Sequence, residues 1–348
     1  MIPNPINGKG PLFENFDALL HIVSQRYMDR WTGILKVPVC PKGTAICRIA
    51  ASLCVSPSKS LLVPTANVIF FNGDRVGGTN NPVIERLSDI QNIADILVSK
   101  LGASINAWVI EAPTFNGPFA IYKEFIQSLN QRGEPQYYRP DGFPASISVI
   151  ALLSNFLEER AKHISCKEQE PQLYAEHASS CLPRTFVFGF SKGGVVLNQL
   201  ITELGFSDIK DMEDPQKLTS FNKFAGKQIV PVSRESLFDS ITEIHYVDVG
   251  LNSSGAYLTD DNVIQRVAER LTKRDKTMRF VLHGTPRQWS DVRRPWIREE
   301  KDKFCQILKS EGLKSKGKLE VYEINYFTES FPNLQMHFEI IEKLVVSW

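Results

Sequence analysis

No stretch of this chain is long and apolar enough to cross a bilayer, which takes about 18 consecutive apolar residues. The best run, Ile147 to Leu157, is broken by Ser148, Ser154 and Asn155 and reads as a buried helix. An integral membrane segment is therefore not expected. Charge of one sign is missing too: 40 Lys and Arg stand against 39 Asp and Glu, so no field draws the chain to nucleic acid. The six cysteines show no C-x-x-C or zinc-like spacing and fit reduced thiols inside a cell. Cys166 and Cys181 flank a polar loop and could pair in oxidising surroundings. The first twenty residues contain Glu14 and Asp17 but no arginine, unlike a secretory h-region or an Arg-rich transit peptide. On that reading the compartment is cytoplasmic or nuclear. Internal repeats and low-complexity tracts are also missing.

What is present is alternation. A helical pattern at Pro11 to Tyr27 precedes two strands, Trp31 to Val39 and Ala45 to Val55, joined by a turn at Pro41 to Gly43. Such an amino-terminal hairpin forms the antiparallel edge of a mixed sheet. Asn67 to Phe71 is an apolar strand ending in Asn72-Gly73-Asp74, a turn signal. A helix from Arg86 to Leu101 stops at Gly102, and Ala107 to Ile110 is the next strand. A helix near Ile121 to Leu129, a polar loop, a long helix from Phe143 to Ile164 and a polar linker to Pro183 follow. Beyond the segment from Gly205 to Ser240, a small cap or a surface insertion, come strands at Glu243–Gly250, Met278–Leu282 and Leu319–Phe327. Helices at Asn262–Thr272, Trp296–Gly312 and Leu334–Val346 alternate with them. The pattern predicts an α/β fold, a mostly parallel central sheet with helices on both faces. Residues 1–64 would pack on a core of 65–348, as a single domain overall.

One stretch organises the chemistry. Thr185 to Phe190 has strand character, Val196 to Leu204 has helical spacing, and G-x-S-x-G (Gly189 to Gly193) lies at the bend. At such an elbow the serine backbone is strained, and small residues two before and two after let strand and helix pass closely. Ser191 would then project its hydroxyl from the carboxyl edge of the sheet.

A serine hydroxyl needs a base, and in a sheet of this type the acid and the histidine follow the serine in that order. His337, after the last strand, holds the expected place of the base. His283 is the runner-up, His245 lies inside a strand, and His21, His163 and His177 carry no signal. Two acids compete. Asp291, in the loop after the penultimate strand, is favoured over Asp248, at the end of the strand before. The competing role for Asp291 is an ion pair with Arg293 or Arg294, and for Asp248 a cap ordering the loop from Gly250 to Gly255. The oxyanion formed on attack needs two backbone N–H groups. Lys192 would supply one and Gly73 or Asp74 the other.

These residues resemble an α/β-hydrolase-like mitochondrial family, typified by the human chromosome 2 open reading frame 69 product. The pieces that carry the resemblance run in order from about residue 65 to 340. They are VIFFNGD (Val68 to Asp74), Trp108-Val109-Ile110, GFSKGGVVLNQLITEL (Gly189 to Leu204), YVDVG (Tyr246 to Gly250), HGTPRQWSDVRRPWI (His283 to Ile297) and Gln335 to Phe338. The resemblance implies Ser191 as the family serine, His337 as its late histidine, Asp248 and Asp291 as candidate acids, and a mitochondrial location. Departures are Val249, where the family often has Gly, and Asn252-Ser253, where it has a His. The expectation is a serine hydrolase acting on an ester, thioester or related small acyl substrate, with no metal or organic cofactor. The alternative is a non-catalytic scaffold of the same fold.

Overall fold

In a computed structural model the chain is described at residues 29–39, 44–165, 182–207 and 229–346. The helix expected at Pro11 to Tyr27, the turn at Pro41 to Gly43, Cys166, Cys181 and most of the segment from Gly205 to Ser240 lie outside those residues.

Two long strands, β1 (Asp29–Pro38) and β2 (Ile46–Val55), form the expected hairpin, Trp31 opposite Leu53. β3 (Ala66–Phe71) follows, then helices α1 (Pro82–Ser88) and α2 (Ile90–Leu101), β4 (Ile105–Ile110), and a small separate hairpin of β5 (Thr114–Asn116) and β6 (Phe119–Ile121). Next are α3 (Pro144–Ser165), β7 (Arg184–Phe190), α4 (Gly194–Gly205), α5 (Arg234–Ser240) and β8 (Ile241–Val247). The chain closes with α6 (Asp261–Lys273), β9 (Met278–Gly284), α7 (Pro286–Trp289), α8 (Pro295–Lys314), β10 (Leu319–Asn325) and α9 (Leu334–Lys343).

Among the described residues eight strands make the main sheet, in the order β1-β2-β4-β3-β7-β8-β9-β10. The pairs from β4 through β10 are parallel, and β2 is antiparallel to both neighbours, so among the described strands of this sheet β2 alone runs against the rest. This is an α/β-hydrolase-like fold. Alternate strand residues feed two cores. Ile69, Phe71 and Val187 pack with α3, α4, α6 and α8 on one face, while Phe70, Phe186 and Phe188 pack with α1, α2 and α9 on the other. Residues of β3 are buried on both faces, which is why they read as an unbroken apolar run.

Two expected elements differ. The helix expected from Arg86 to Leu101 is broken: Asp89 is extended (φ −78°, ψ 118°), and its side chain accepts from the Gln91 N–H to cap a second helix. The helix expected near Ile121 to Leu129 is a strand end and a turn. Gly117 (φ 59°) reverses the chain, and only one turn forms, with the Phe125 and Ile126 N–H groups donating to the Tyr122 carbonyl. The apolar spacing there reflects Tyr122, Phe125 and Ile126 buried together in the core beside Phe71, with no helical ladder behind it.

The sheet sets the site. From β3 the chain steps outward to β4 and later returns to β7 on the other side of β3, so the carboxyl ends of β3 and β7 flank a topological switch point. Crevices at such points collect ligands in open α/β sheets.

Candidate active site

Ser191 sits where β7 turns through a 3-10 turn (Ser191–Gly193) into α4, with φ at +52°. A left-handed non-glycine residue costs on the order of 1–3 kcal/mol and persists where surroundings impose it. Three glycines impose it here. A methyl at Gly189 would meet Gly194 Cα at 2.7 Å, and one at Gly194 would meet Val249 Cγ2 at 2.5 Å. At Gly193 it would fall 2.1 Å from the Phe71 carbonyl oxygen, so this glycine is what lets the elbow rest on the end of β3. The turn after β3 touches the serine itself: a methyl at Gly73 would lie 3.1 Å from Ser191 Oγ.

His337, in the first half of α9, stacks obliquely on Phe190, the residue before the serine, with ring centroids 4.7 Å apart. Its Nδ1–H donates to Asp248 Oδ2 at 2.6 Å, which leaves Nε2 as the nitrogen able to accept a proton. Asp248 follows β8, is fully buried, and has φ at +46°. Thr285, just beyond β9, donates its N–H to Oδ1 at 2.7 Å and its hydroxyl to Oδ2 at 3.0 Å. The Asp248 N–H in turn donates to the His283 carbonyl at 2.7 Å. The carboxylate is therefore fixed by the neighbouring strand end as well as by the imidazole.

Asp291, the favoured acid from sequence, is engaged elsewhere. It accepts from the Arg293 N–H (3.0 Å), Arg293 Nε (3.2 Å) and Arg294 Nε (3.0 Å). Burial would raise its carboxyl, but these bonds hold it well below the usual carboxylate range. The structure joins His337 to Asp248, not to Asp291.

Ser191 and His337 keep 8% and 6% of their surfaces exposed, so neither residue is wholly sealed in the core. No hydrogen bond between described residues joins Ser191 Oγ to His337; such bonds are commonly loose before substrate arrives. Of the expected oxyanion donors, the Gly73 N–H is already given to Asn72 Oδ1 at 2.9 Å. Among the described residues no acceptor meets the Asp74 N–H. The Lys192 side chain is buried. Its ammonium pairs with Asp74 Oδ1 at 2.9 Å and donates to the Arg132 carbonyl at 2.6 Å. That arrangement ties the elbow to both the turn after β3 and the segment beyond β6.

Sequence reasoning missed the groups that hold these loops. Tyr122 donates its hydroxyl to the Asn72 carbonyl at 2.6 Å, steadying the turn after β3. Glu134 accepts from the Asn252 N–H (2.7 Å) and the Ser253 hydroxyl (3.0 Å), binding the loop after Asp248 to that beyond β6. His245 and His283 form another buried network. Glu243 Oε2 accepts from His245 Nε2 at 3.0 Å, and His245 Nδ1 lies 3.0 Å from His283 Nε2. His283 Nδ1 is 2.9 Å from the Tyr326 hydroxyl, which accepts from the Val345 N–H. Burial pushes both imidazoles below the ordinary histidine range, and for His283 the adjacent His245 adds to it. His283 thus has a structural place and does not reach Ser191. Among the described residues no group of His, Cys, Asp and Glu is disposed to hold a metal, and no helix is long and apolar enough to cross a membrane.

A family model described as C2orf69 matches residues 158–314, including the elbow, Asp248 and Thr285. The chain is 23% identical over 288 residues to the human mitochondrial protein C2orf69, covering 73% of this chain and 66% of that one. The chain is C2orf69-like. The mouse homolog is 26% identical over 289 residues (73% of this chain, 69% of that one), and the zebrafish homolog 24% over 241 (68% and 59%). The match to the human C2orf69 thus falls just short of two thirds of its length. Among solved structures, the C2orf69-like fold is similar to an IroE-like serine hydrolase from Shewanella oneidensis (12% identity, 90% of this chain and 78% of that one, TM-score 0.41). It is also similar to brefeldin A esterase, a bacterial homologue of human hormone-sensitive lipase (10%, 97% and 83%, TM-score 0.36).

Proposed function

We propose that the protein is a serine hydrolase cleaving an ester, thioester or related acyl bond, with Ser191 as nucleophile, His337 as base and Asp248 as orienting acid. The observation that carries this reading is the 2.6 Å bond from His337 Nδ1 to Asp248, one ring-stack away from a serine held at positive φ. Asp248 fixes the tautomer with the proton on Nδ1, so Nε2 takes the serine proton as Oγ attacks the carbonyl and then passes it to the leaving group. The Lys192 N–H follows the nucleophile and serves as one oxyanion donor. The Asp74 N–H, having no internal acceptor, serves better as the second than that of Gly73. Water then releases the acyl group from Ser191 by the same proton route, with no metal or organic cofactor. Asp291 has no part in it. The segment 1–64 packs on 65–348 as a single domain overall, and the protein works in mitochondria, as the names of its relatives suggest; a cytoplasmic place has no such support.

A non-catalytic scaffold is the second reading, favoured by the missing Ser191–His337 hydrogen bond. A fluorophosphonate probe separates the two. Labelling of the native chain and none of Ser191→Ala supports the hydrolase; a folded native chain that stays unlabelled supports the scaffold.

A further inference from the structure

The short segment after β9 carries three arginines, Arg287, Arg293 and Arg294, and one acid, Asp291. Asp291 accepts from Arg293 and Arg294, and Arg294 Nη2 donates to the Arg287 carbonyl at 3.4 Å. Arg287 is left over. Its Nε is buried and meets no hydrogen-bond partner among the described residues, and no carboxylate pairs with it there. The next residue repeats the pattern: Gln288 Oε1, against Gly250, is also buried without a partner. Buried polar atoms in native proteins nearly always find partners; of the seven that lack one among the described residues these two alone adjoin in sequence, and a group outside the chain, water or ligand, would meet them together.

The position narrows what that group is. Arg287 lies two residues after Thr285, whose N–H and hydroxyl are both held by Asp248, and α7 packs against α9, which carries His337. Asp248 spends three bonds on Thr285 and His337, and none of its bonds goes to Arg287. Burial foremost, and Arg294 and Arg293 beside it, disfavour the Arg287 charge; Asp248 and Asp291 favour it from a distance without bonding it, and a guanidinium does not give up its proton in a protein. It has no bonded anion among the described residues, and its planar fork matches a carboxylate or a phosphate in bidentate fashion.

The geometry points to Arg287 as the anchor for a carboxylate or phosphate carried by the substrate, making this a site for anionic acyl compounds. This rests on the hydrolase reading of Ser191, but anion binding can be measured without catalysis.

The test compares p-nitrophenyl acetate with mono-p-nitrophenyl succinate on the native chain, Arg287→Gln and Arg287→Lys. The ratio of kcat/KM for the anionic ester to that for the neutral one should fall about tenfold or more in Arg287→Gln, the scale of a charge-assisted hydrogen bond. Arg287→Lys should recover part of it. An unchanged ratio overturns the proposal. Inorganic phosphate and succinate, titrated at constant ionic strength against the anionic ester, show which anion the fork prefers. Inhibition by neither overturns the proposal. Should the native chain cleave neither ester, the reading of Ser191 fails by itself. Calorimetry with the same two anions then decides: binding lost in Arg287→Gln supports the anchor, and absent or unaltered binding overturns it. If Arg287→Gln does not fold, the same comparison is made with Arg287→Lys.

Discussion

Replacing Asp248 by Asn separates the two candidate acids sharply. The carboxylate accepts three hydrogen bonds: from the Thr285 N–H, the Thr285 hydroxyl and His337 Nδ1–H. An asparagine can keep its carbonyl on the Thr285 N–H and turn its NH2 toward the other two. The threonine hydroxyl can rotate and accept. The imidazole can only answer by moving its proton from Nδ1 to Nε2, which removes the lone pair that must take the serine proton. Where this exchange has been made in a serine triad the rate falls about 10⁴-fold with geometry kept, equivalent to about 5.4 kcal/mol of barrier. The rate constant for fluorophosphonate labelling of Ser191 should fall by about that factor in Asp248→Asn. Asp291→Asn breaks only contacts with Arg293 and Arg294 and should stay within a few-fold of native, since isolated surface ion pairs contribute about 0–1 kcal/mol. Labelling of Asp248→Asn within tenfold of native, or its loss in Asp291→Asn, would refute the assignment.

Two further outcomes concern stability. Gly193→Ala sets a methyl 2.1 Å from the Phe71 carbonyl, backbone that cannot yield without parting β3 from the elbow. Urea unfolding should show a loss of about 1–3 kcal/mol or more. Gly77→Ala, with nothing within 4 Å, should stay within about 0.5 kcal/mol, and equal losses would sink the argument. Glu203 accepts from Ala145 N–H, Ser146 N–H and hydroxyl, and Gln199, but burial outweighs these bonds and raises its carboxyl from 4.5 to about 6. Folding therefore takes up a proton between those values. The group's contribution is full below pH 4.5 and is lost as pH rises through 6, about 2 kcal/mol in all. Urea midpoints across that window should slope less in Glu203→Gln than in the native chain; parallel slopes would contradict it.

The elbow was legible because its requirements are local. Gly189, Gly193 and Gly194 are needed by the closeness of one strand to one helix, and the chain spells that out in six residues. His337 was legible from its place after the last strand. The choice of acid was not, since it depends on Thr285, a residue on the neighbouring strand end whose approach to Asp248 is set by sheet register. Asp291 was the favoured acid, but Arg293 and Arg294, two and three residues away, claim it. The break at Asp89 was written in its capping chemistry, yet Leu87 and Ile90 continued an apolar spacing that masked it. The turn after β6 misled for a similar reason: Tyr122, Phe125 and Ile126 are spaced as in a helix but serve a single turn. Arg287 carries no sequence signal beyond an excess of arginine over acid.

The line from Tyr326 through His283 and His245 to Glu243 has a consequence of its own. Since the terminal carboxylate can only receive, each ring must pass its hydrogen the same way, and the phenol must give. Orientation is thus dictated from one end, like dominoes that can fall in a single direction. The ends of β8, β9 and β10, the last three strands of the row, are cross-linked in the interior by three neutral groups whose sense is uniquely defined, beside the backbone that presents Asp248.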